Sequence, residues 1–353
     1  MTAKIPVSVL GATGTVGQKF VRLLADHPWF EIAAVAASST SAGNRYGDIV
    51  RWRETTDLPE RIAGLTVQEC APPLPGPIVF SALDADVAGP IEQAFARAGV
   101  FVVTNTRTHR MDADVPLLIP EVNADHLNLI DRQRADRGWT GAIICNPNCS
   151  TAALALALTP LHQAFDVEKL FVSTMQAVSG AGYPGVPSLD IVGNVVPFIG
   201  GEEEKIERES RKLLGTLGES GVTPAAFAVS AHTNRVAVID GHMETVSVGF
   251  RKRVGVDDAL AALREFRASP CVAGLPSSPP PPIEVDPRAD RPQPRLDLDR
   301  GGGMAVTVGR VRSCPILDLR MVLLGHNTIR GAAGQAVQIA ELLIADGRVE
   351  RTG

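Results

Sequence analysis

The chain has 353 residues, enough for two cores, with 45% hydrophobic residues and a formal charge of -5 at pH 7. That balance excludes a disordered chain and a general binder of nucleic acid, while leaving room for a local basic pocket. Five scattered cysteines without C-x-x-C spacing exclude a disulfide framework and a cysteine zinc site, so no metal is expected. No apolar run is long enough for a bilayer, and the N-terminus runs into a glycine turn rather than a signal region; the expectation is a cytoplasmic protein with no membrane partner.

The opening "KIPVSVLGATGTVGQKFVRLLADHP" is a β-branched run, a glycine turn and a helix with Phe20, Leu23 and Leu24 at helical spacing, ending near Pro28. A second strand, "FEIAAVAAS", follows directly, which predicts a parallel sheet with a right-handed crossover. The rhythm continues through "PIVFSAL" (strand), "VAGPIEQAFARAG" (helix), "VFVVTNT" (strand) and "GAIICNP" (strand). The fold class is therefore α/β, with an N-terminal doubly wound, Rossmann-type sheet. Beyond Ser150 the texture turns β-rich in "KLFVSTMQAVSG", "TPAAFAVSAHTNRVAV" and "GHMETVSVGFRKR", whose alternation predicts a second domain built on an antiparallel sheet with one solvated face. The proline-rich stretch 274–303 reads either as a flexible linker or as an extended segment pinned to the surface. The final "GAAGQAVQIAELLIADG" predicts an amphipathic helix.

"GATGTVG" sets Gly11, Gly14 and Gly17 in a variant of the dinucleotide fingerprint, between a strand and a helix. Gly11 allows the tight turn, Gly14 lets a pyrophosphate approach, and Gly17 lets helix and strand pack closely, with the helix N–H groups facing the anion. After the second strand comes "ASSTSAGNRYG", where a NAD-specific enzyme would carry an acidic residue for the ribose. Ser38, Ser39, Thr40 and Ser41, with Arg45 nearby, offer donors instead, so NADP fits better than NAD.

"NPNCSTAALALALTPL" places Cys149 between a turn and the first turn of a helix. Unpaired N–H groups and the positive end of the helix dipole there favour a thiolate. A thiol beside a nicotinamide fold points to acyl-level redox chemistry through a thioester. That chemistry needs a proton-transfer group, a donor for the oxygen, and cations for an anionic substrate. "NRVAVIDGHMETV" offers Arg235 and His242, with His232, His109 and His326 equal competitors by spacing.

At this point the sequence resembles the aspartate-semialdehyde dehydrogenases, in the branch found in archaea and fungi. The resemblance runs along nearly the whole chain, through "GATGTVGQKF", "ASSTSAG", "DVPLLIPEVN", "NPNCST", "QAVSGAGYPG", "GGEEEKIERE", "NRVAVIDGH", "RPQPRLD", "GMAVTVGR" and "HNTIRGAAG" in order. It implies that Cys149 attacks the acyl carbon of aspartyl phosphate, that His242 is the acid/base partner, and that Gln176 orients the acyl intermediate. By the same resemblance Arg235 holds the substrate carboxylate, Glu202 its amino group, and Lys205 with Arg110 the phosphate. Which of Glu202, Glu203 and Glu204 faces the substrate stays open, although Glu202 and Lys205 lie one helical turn apart.

For NADP(H), the resemblance implies Gly11, Thr13, Gly14, Thr15 and Val16 at the pyrophosphate, Ser38 and Ser41 at the adenosine phosphate, and Ser179, Gly180 and Asn327 near the nicotinamide. The family often has Arg at Thr40 and Lys at Asn44, so the grip on a 2′-phosphate is weaker here. The implied partners are a small-molecule substrate, inorganic phosphate and a second copy of the chain, as homodimer or homotetramer. The expected division is residues 1–148 plus 328–353 for NADP, with the C-terminal helix returning to that domain, and an α+β catalytic and dimerisation domain over 149–327. Rival readings are a reductase of N-acetylglutamyl phosphate or malonyl-CoA, a cysteine/histidine hydrolase, and a non-catalytic dinucleotide sensor.

Overall fold

A computed structural model describes residues 3–350. Strands β1 (Ile5–Leu10), β2 (Phe30–Ala37), β3 (Gln68–Glu69), β4 (Ile78–Ser81), β5 (Phe101–Thr104) and β6 (Ala142–Cys145) form one sheet in the order β3-β2-β1-β4-β5-β6, every pair parallel. The inner strands read as near-continuous apolar runs because helices cover both faces. The strand order reverses between β1 and β4, and the crevice beyond their carboxyl ends is where such sheets bind ligands. Helices Thr15–Leu24 and Ala85–Arg97 follow β1 and β4 as the sequence pattern predicts.

The second sheet takes β7 (Val167–Gln176), β10 (Ala228–Arg235), β11 (His242–Phe250), β12 (Ile283–Asp286), β13 (Val306–Ser313) and β14 (Leu319–Gly325) in the order β10-β7-β11-β14-β13-β12. The intervening β8 (Thr216–Gly218) and β9 (Gly221–Thr223) make a separate hairpin. The large sheet is mixed rather than antiparallel: β10 pairs with β7, and β12 with β13, in parallel. The reason is in the connections. Helix Glu202–Leu213 lies between β7 and β10 and carries the chain back for a parallel pairing, which a tight hairpin cannot do. One face of this sheet packs on helix Cys149–Phe165, where Leu154, Leu158 and Leu161 join Val172, Val246 and Leu323 in a core. The other face leaves Phe171 and Thr245 exposed, as the alternation predicts.

The proline-rich stretch is pinned. Arg291 grips Asp297 through two bonds of 2.6 and 2.7 Å, and Arg300 bridges Asp286, Asp297 and Glu284 at 2.6, 2.7 and 3.0 Å. Its strand β12 pairs along β13, so a linker reading is replaced by an ion-paired strap.

The chain then returns to the first domain through a π-helical turn, Ile329–Ala333, and helix Gly334–Ala345. That helix is not amphipathic in use: residues 334–343 are all buried. Its polar side chains find partners inside. Gln335 donates to Leu118 O at 3.1 Å and Asn146 Oδ1 at 2.7 Å, and Glu341 pairs with His27 at 2.7 Å. Among the described residues no helix is long and apolar enough to cross a membrane.

Arg330, on the π-helical turn, is fully buried and meets Glu121 through bonds of 3.0 and 2.7 Å. Burial alone would push the Glu121 carboxyl up; Arg330 outweighs it and holds the carboxyl below its usual value. Because the folded value is depressed, this contribution is complete above the unfolded carboxyl pKa of about 4.3 and is lost as pH falls through the folded value. Glu121→Ala leaves a buried cation without its partner and is expected to cost about 3–5 kcal/mol, read from chemical denaturation at neutral pH.

Candidate active site

A crevice of about 850 Å³ runs between the two sheets, bordered by Gly14, Asn105, Arg110, Cys149, Arg235 and Asn327. A neighbouring hollow of about 530 Å³ is lined by Gly11, Ser38, Ser39 and Glu69. Of the nucleotide-loop residues, Thr13, Gly14, Thr15 and Val16 all line the main crevice.

The glycine turn is built for a phosphate. Gly11 has φ +71°, and a Cβ there would lie 2.5 Å from Ala82 O; one on Gly17 would lie 2.1 Å from Gly11 O. Gly14 is less crowded, its nearest atom 3.4 Å from a built Cβ, so its openness faces the crevice. Gly14 caps the following helix without any side-chain bond, which leaves backbone donors of the first turn for an anion. In the neighbouring hollow, Ser38 Oγ bonds Thr40 Oγ1 at 2.9 Å and Ser41 Oγ at 3.4 Å. Ser38 and Ser39 line the hollow; Ser41 is not among its lining residues. Arg45 is held by Asp48 at 3.1 Å and Glu60 at 3.8 Å, so its charge is already engaged.

Cys149 is the first residue of its helix. Asn148 caps it: its Oδ1 accepts from the N–H groups of Ser150 and Thr151 at 3.0 and 3.2 Å. From below, a Cβ on Gly331 would sit 2.6 Å from Cys149 Cβ, so only glycine leaves the cysteine where it is. Burial first, then the Glu202 carboxylate, push the thiol up to about 12, against Arg110, Arg235 and the Ser150 N–H, which pull it down. The helix N-terminus alone does not hold a standing thiolate in the ligand-free chain.

His242 opens β11, at the turn after Gly241. Its Nδ1 accepts the Ala177 N–H at 3.1 Å, so the neutral ring carries its proton on Nε2. That nitrogen is buried with no bonding partner among the described residues. Burial, reinforced by Arg235, pushes the imidazole down to about 3; it is a neutral N–H donor. A Cβ on Gly180 would lie 3.2 Å from His242 Nε2 and 2.9 Å from an Arg235 guanidinium nitrogen, so both groups border the same small space. The rival histidines are occupied elsewhere. His232 is exposed against Phe171, and His109 bonds Asp112 at 2.9 Å; His326 is buried near Gly303.

Gln176 ends β7 and reaches Glu202 Oε2 at 3.4 Å; Arg235 ends β10 and donates to Ala177 O at 2.7 Å. Glu202 starts the charged helix, accepting from Asn148 Nδ2 at 2.7 Å and Lys205 Nζ at 2.5 Å. Glu203 instead accepts the Thr233 N–H at 3.0 Å, and Glu204 is exposed, so Glu202 is the one that borders the crevice. Arg110 donates to Glu209 at 3.0 Å and to Asn105 O at 2.7 Å. Asn327 ties two loops together, donating to Ser179 Oγ and accepting the Gly241 N–H, both at 2.8 Å. At the mouth the Arg53 guanidinium lies 3.4 Å above the Tyr183 ring, one group from each side.

Sequence reasoning missed Asn148, Gly331, Glu209 and the Arg53–Tyr183 contact. The cap was recoverable from "NCST", since asparagine is a favoured cap. Glu209 lies seven positions after Glu202 and hence on the same helical face. Gly331 and the mouth contact left no local signal.

The fold and crevice together define a dinucleotide-dependent oxidoreductase. Residues 6–130 match the description "Semialdehyde dehydrogenase, NAD binding domain" and residues 158–330 "Semialdehyde dehydrogenase, dimerisation domain". The chain is 51% identical to the aspartate-semialdehyde dehydrogenase of Methanothermobacter thermautotrophicus, over 96% of this chain and 99% of that one. It is 46% identical to that of Saccharomyces cerevisiae, over 98% and 99%. The crystal structure of the Candida albicans aspartate semialdehyde dehydrogenase with NADP superposes with a TM-score of 0.91 at 44% identity, covering 98% of this chain and all of that one. The chain belongs to the aspartate-semialdehyde dehydrogenase family.

With a resting thiol at about 12, alkylation of Cys149 by iodoacetamide in the ligand-free protein is expected to climb about tenfold per pH unit from pH 7 to 10 without a plateau. Peptide-resolved mass spectrometry reads it; a plateau near pH 7 would contradict the burial argument.

Proposed function

We propose that this chain catalyses the reversible, NADPH-dependent reductive dephosphorylation of L-aspartyl 4-phosphate to L-aspartate 4-semialdehyde through a thioester on Cys149. The observation that carries the reading is the charge layout around one thiol. Arg235 and Glu202 stand near it, matched to the carboxylate and ammonium of a free amino acid, and Arg110 stands near it with its Nε unpartnered, matched to a phosphoryl group. An N-acetylated substrate has no ammonium for Glu202.

In the forward direction the sulfur attacks the acyl carbon, the C–O bond to phosphate breaks, and the thiol proton leaves on the departing phosphate, held by Arg110 and Lys205. NADPH, when bound, supplies hydride to the acyl carbon. Gly14 and the helix terminus behind it would hold the pyrophosphate, with Ser38 at the adenosine end and Asn327, Ser179 and Gly180 bordering the nicotinamide. His242 Nε2–H would face the acyl oxygen and donate a hydrogen bond to the alkoxide that forms as hydride arrives, assisting its collapse to the aldehyde as the C–S bond breaks and the sulfur leaves as thiolate. Gln176, held beside Glu202, orients the acyl group.

Residues 1–148 with 328–353 form the cofactor domain in this reading, and 149–327 the catalytic and dimerisation domain. A homodimer would form through the exposed face of the second sheet, where Phe171 is 43% exposed, and the adjoining loop with Leu189 and Phe198 at 93% and 71%. Five free cysteines suit the reducing cytoplasm.

Phosphate-dependent reduction of NADP and of NAD with aspartate semialdehyde tests the reaction directly. Cys149→Ala is expected to abolish turnover, a loss of more than about 10⁴-fold, while NADPH binding measured by fluorescence is retained. Turnover at the wild-type rate in that variant would reject the thioester mechanism.

A further inference from the structure

The face of helix Glu202–Leu213 turned toward the crevice carries four charged residues, Glu202, Lys205, Glu209 and Lys212, spaced three, four and three apart. Of the first pair Glu202 meets the Cys149 cap, with Lys205 bonded to it. The second pair serves the segment that bears Arg110. Lys212 Nζ donates to the carbonyls of Arg110, Asp112 and Val115 at 2.8, 2.8 and 3.0 Å, which fixes that loop's backbone. Glu209, only 2% exposed, uses its two oxygens separately. Oε1 accepts from Arg110 NH1 at 3.0 Å, and Oε2 accepts the backbone N–H of Asn148 at 2.6 Å.

We propose that Glu209 is a positioning residue for the phosphoryl-transfer half of the reaction, a single carboxylate that sets the distance between the Arg110 anion site and the Cys149 turn. The inference rests on the acyl-phosphate reading above. An acyl phosphate must place its carbonyl carbon at the sulfur and its phosphoryl group at Arg110 simultaneously. Near-attack geometry tolerates errors well under an ångström, and no covalent link short of the sheet joins the two sites.

Two arguments favour a strut over a mere counter-ion. The N–H of a cap residue lies outside the helix ladder and needs an acceptor when buried; here the acceptor is also the partner of the arginine. Moreover Arg110 keeps donors to spare. With NH1 on Glu209 and NH2 on Asn105 O, its Nε is buried without a partner, as is Asn105 Nδ2 beside it. Glu209 therefore aims the guanidinium and leaves part of it for an incoming anion. Both contacts of Glu209 are donors, so an amide in its place satisfies one and confronts the other with a second donor. A shorter carboxylate cannot reach both.

Glu209→Gln and Glu209→Asp test this in the intact enzyme. Reaction of aspartate semialdehyde with NADP in the absence of phosphate stops at the thioester and gives a burst of about one NADPH per reactive thiol; adding phosphate releases the acyl group and starts steady turnover. Both variants are expected to keep the burst amplitude, while phosphate-dependent turnover falls about ten- to hundredfold and the KM for phosphate rises, with the KM for semialdehyde within about twofold of wild type. A purely structural role would lower the burst and the turnover together. Wild-type phosphate kinetics in either folded variant overturns the proposal. So does a fall in the KM for phosphate, which would make Glu209 a competitor of the anion. If Glu209→Gln does not fold, Glu209→Asp, which keeps the charge, decides on the same readouts. Absence of any burst in the wild-type enzyme would instead defeat the thioester reading itself.

Discussion

The turn Asn146–Cys149 is the fixed point from which the crevice is measured. Each of its polar groups is claimed by a different part of the chain. Asn146 donates to Asn105 Oδ1 at 2.6 Å and to Ala332 O at 2.8 Å, Asn148 binds Glu202 and Glu209, and Gly331 closes on the cysteine from beneath. Displacing any one of these shifts the sulfur relative to the groups around it, because a packed interior transmits strain rather than absorbing it. The cofactor side is referenced to the same turn through β6, whose last residue precedes Asn146.

Burial dominates the electrostatics of this site. The thiol, the imidazole and the flanking charges all sit where water is scarce, which pushes Cys149 up and His242 down, toward neutral forms. Most charges that persist are paired, Glu202 with Lys205, Glu209 with Arg110 and Glu121 with Arg330, while Arg235 is held by a backbone carbonyl. An unliganded crevice is thus quiet at neutral pH. In the proposed reaction the substrate would bring an ammonium to Glu202, whose carboxylate is the charge that most opposes the thiolate.

Local signals in the sequence were reliable where the structure itself is local. The first sheet, its glycine turn and the helix after Cys149 follow from strand runs, glycines, a turn and an apolar helical run within a few residues of each other. Long-range pairing was not legible: the parallel partnership of β7 with β10 depends on a crossover, so the alternation that marks both strands gives no hint of its direction. The charged run "EEEKIERES" resembles a solvated face, and Glu209 is buried only because Asn148 and Arg110, 61 and 99 residues distant, fold over it. Its spacing from Glu202 was visible; its partners were not. Likewise the prolines in 274–303 left flexible and pinned readings open, and the arginine–aspartate pairs that decide between them have no meaning until the strap lies along β13.

Gly331 and Ala332, which touch the cysteine turn, belong to one of the last folded elements of the chain. During synthesis the nucleotide sheet and the cysteine helix leave the ribosome well before the piece that supports them. A nascent or prematurely terminated chain therefore exposes a cysteine helix with nothing beneath its sulfur and no Asn327 to join the loops.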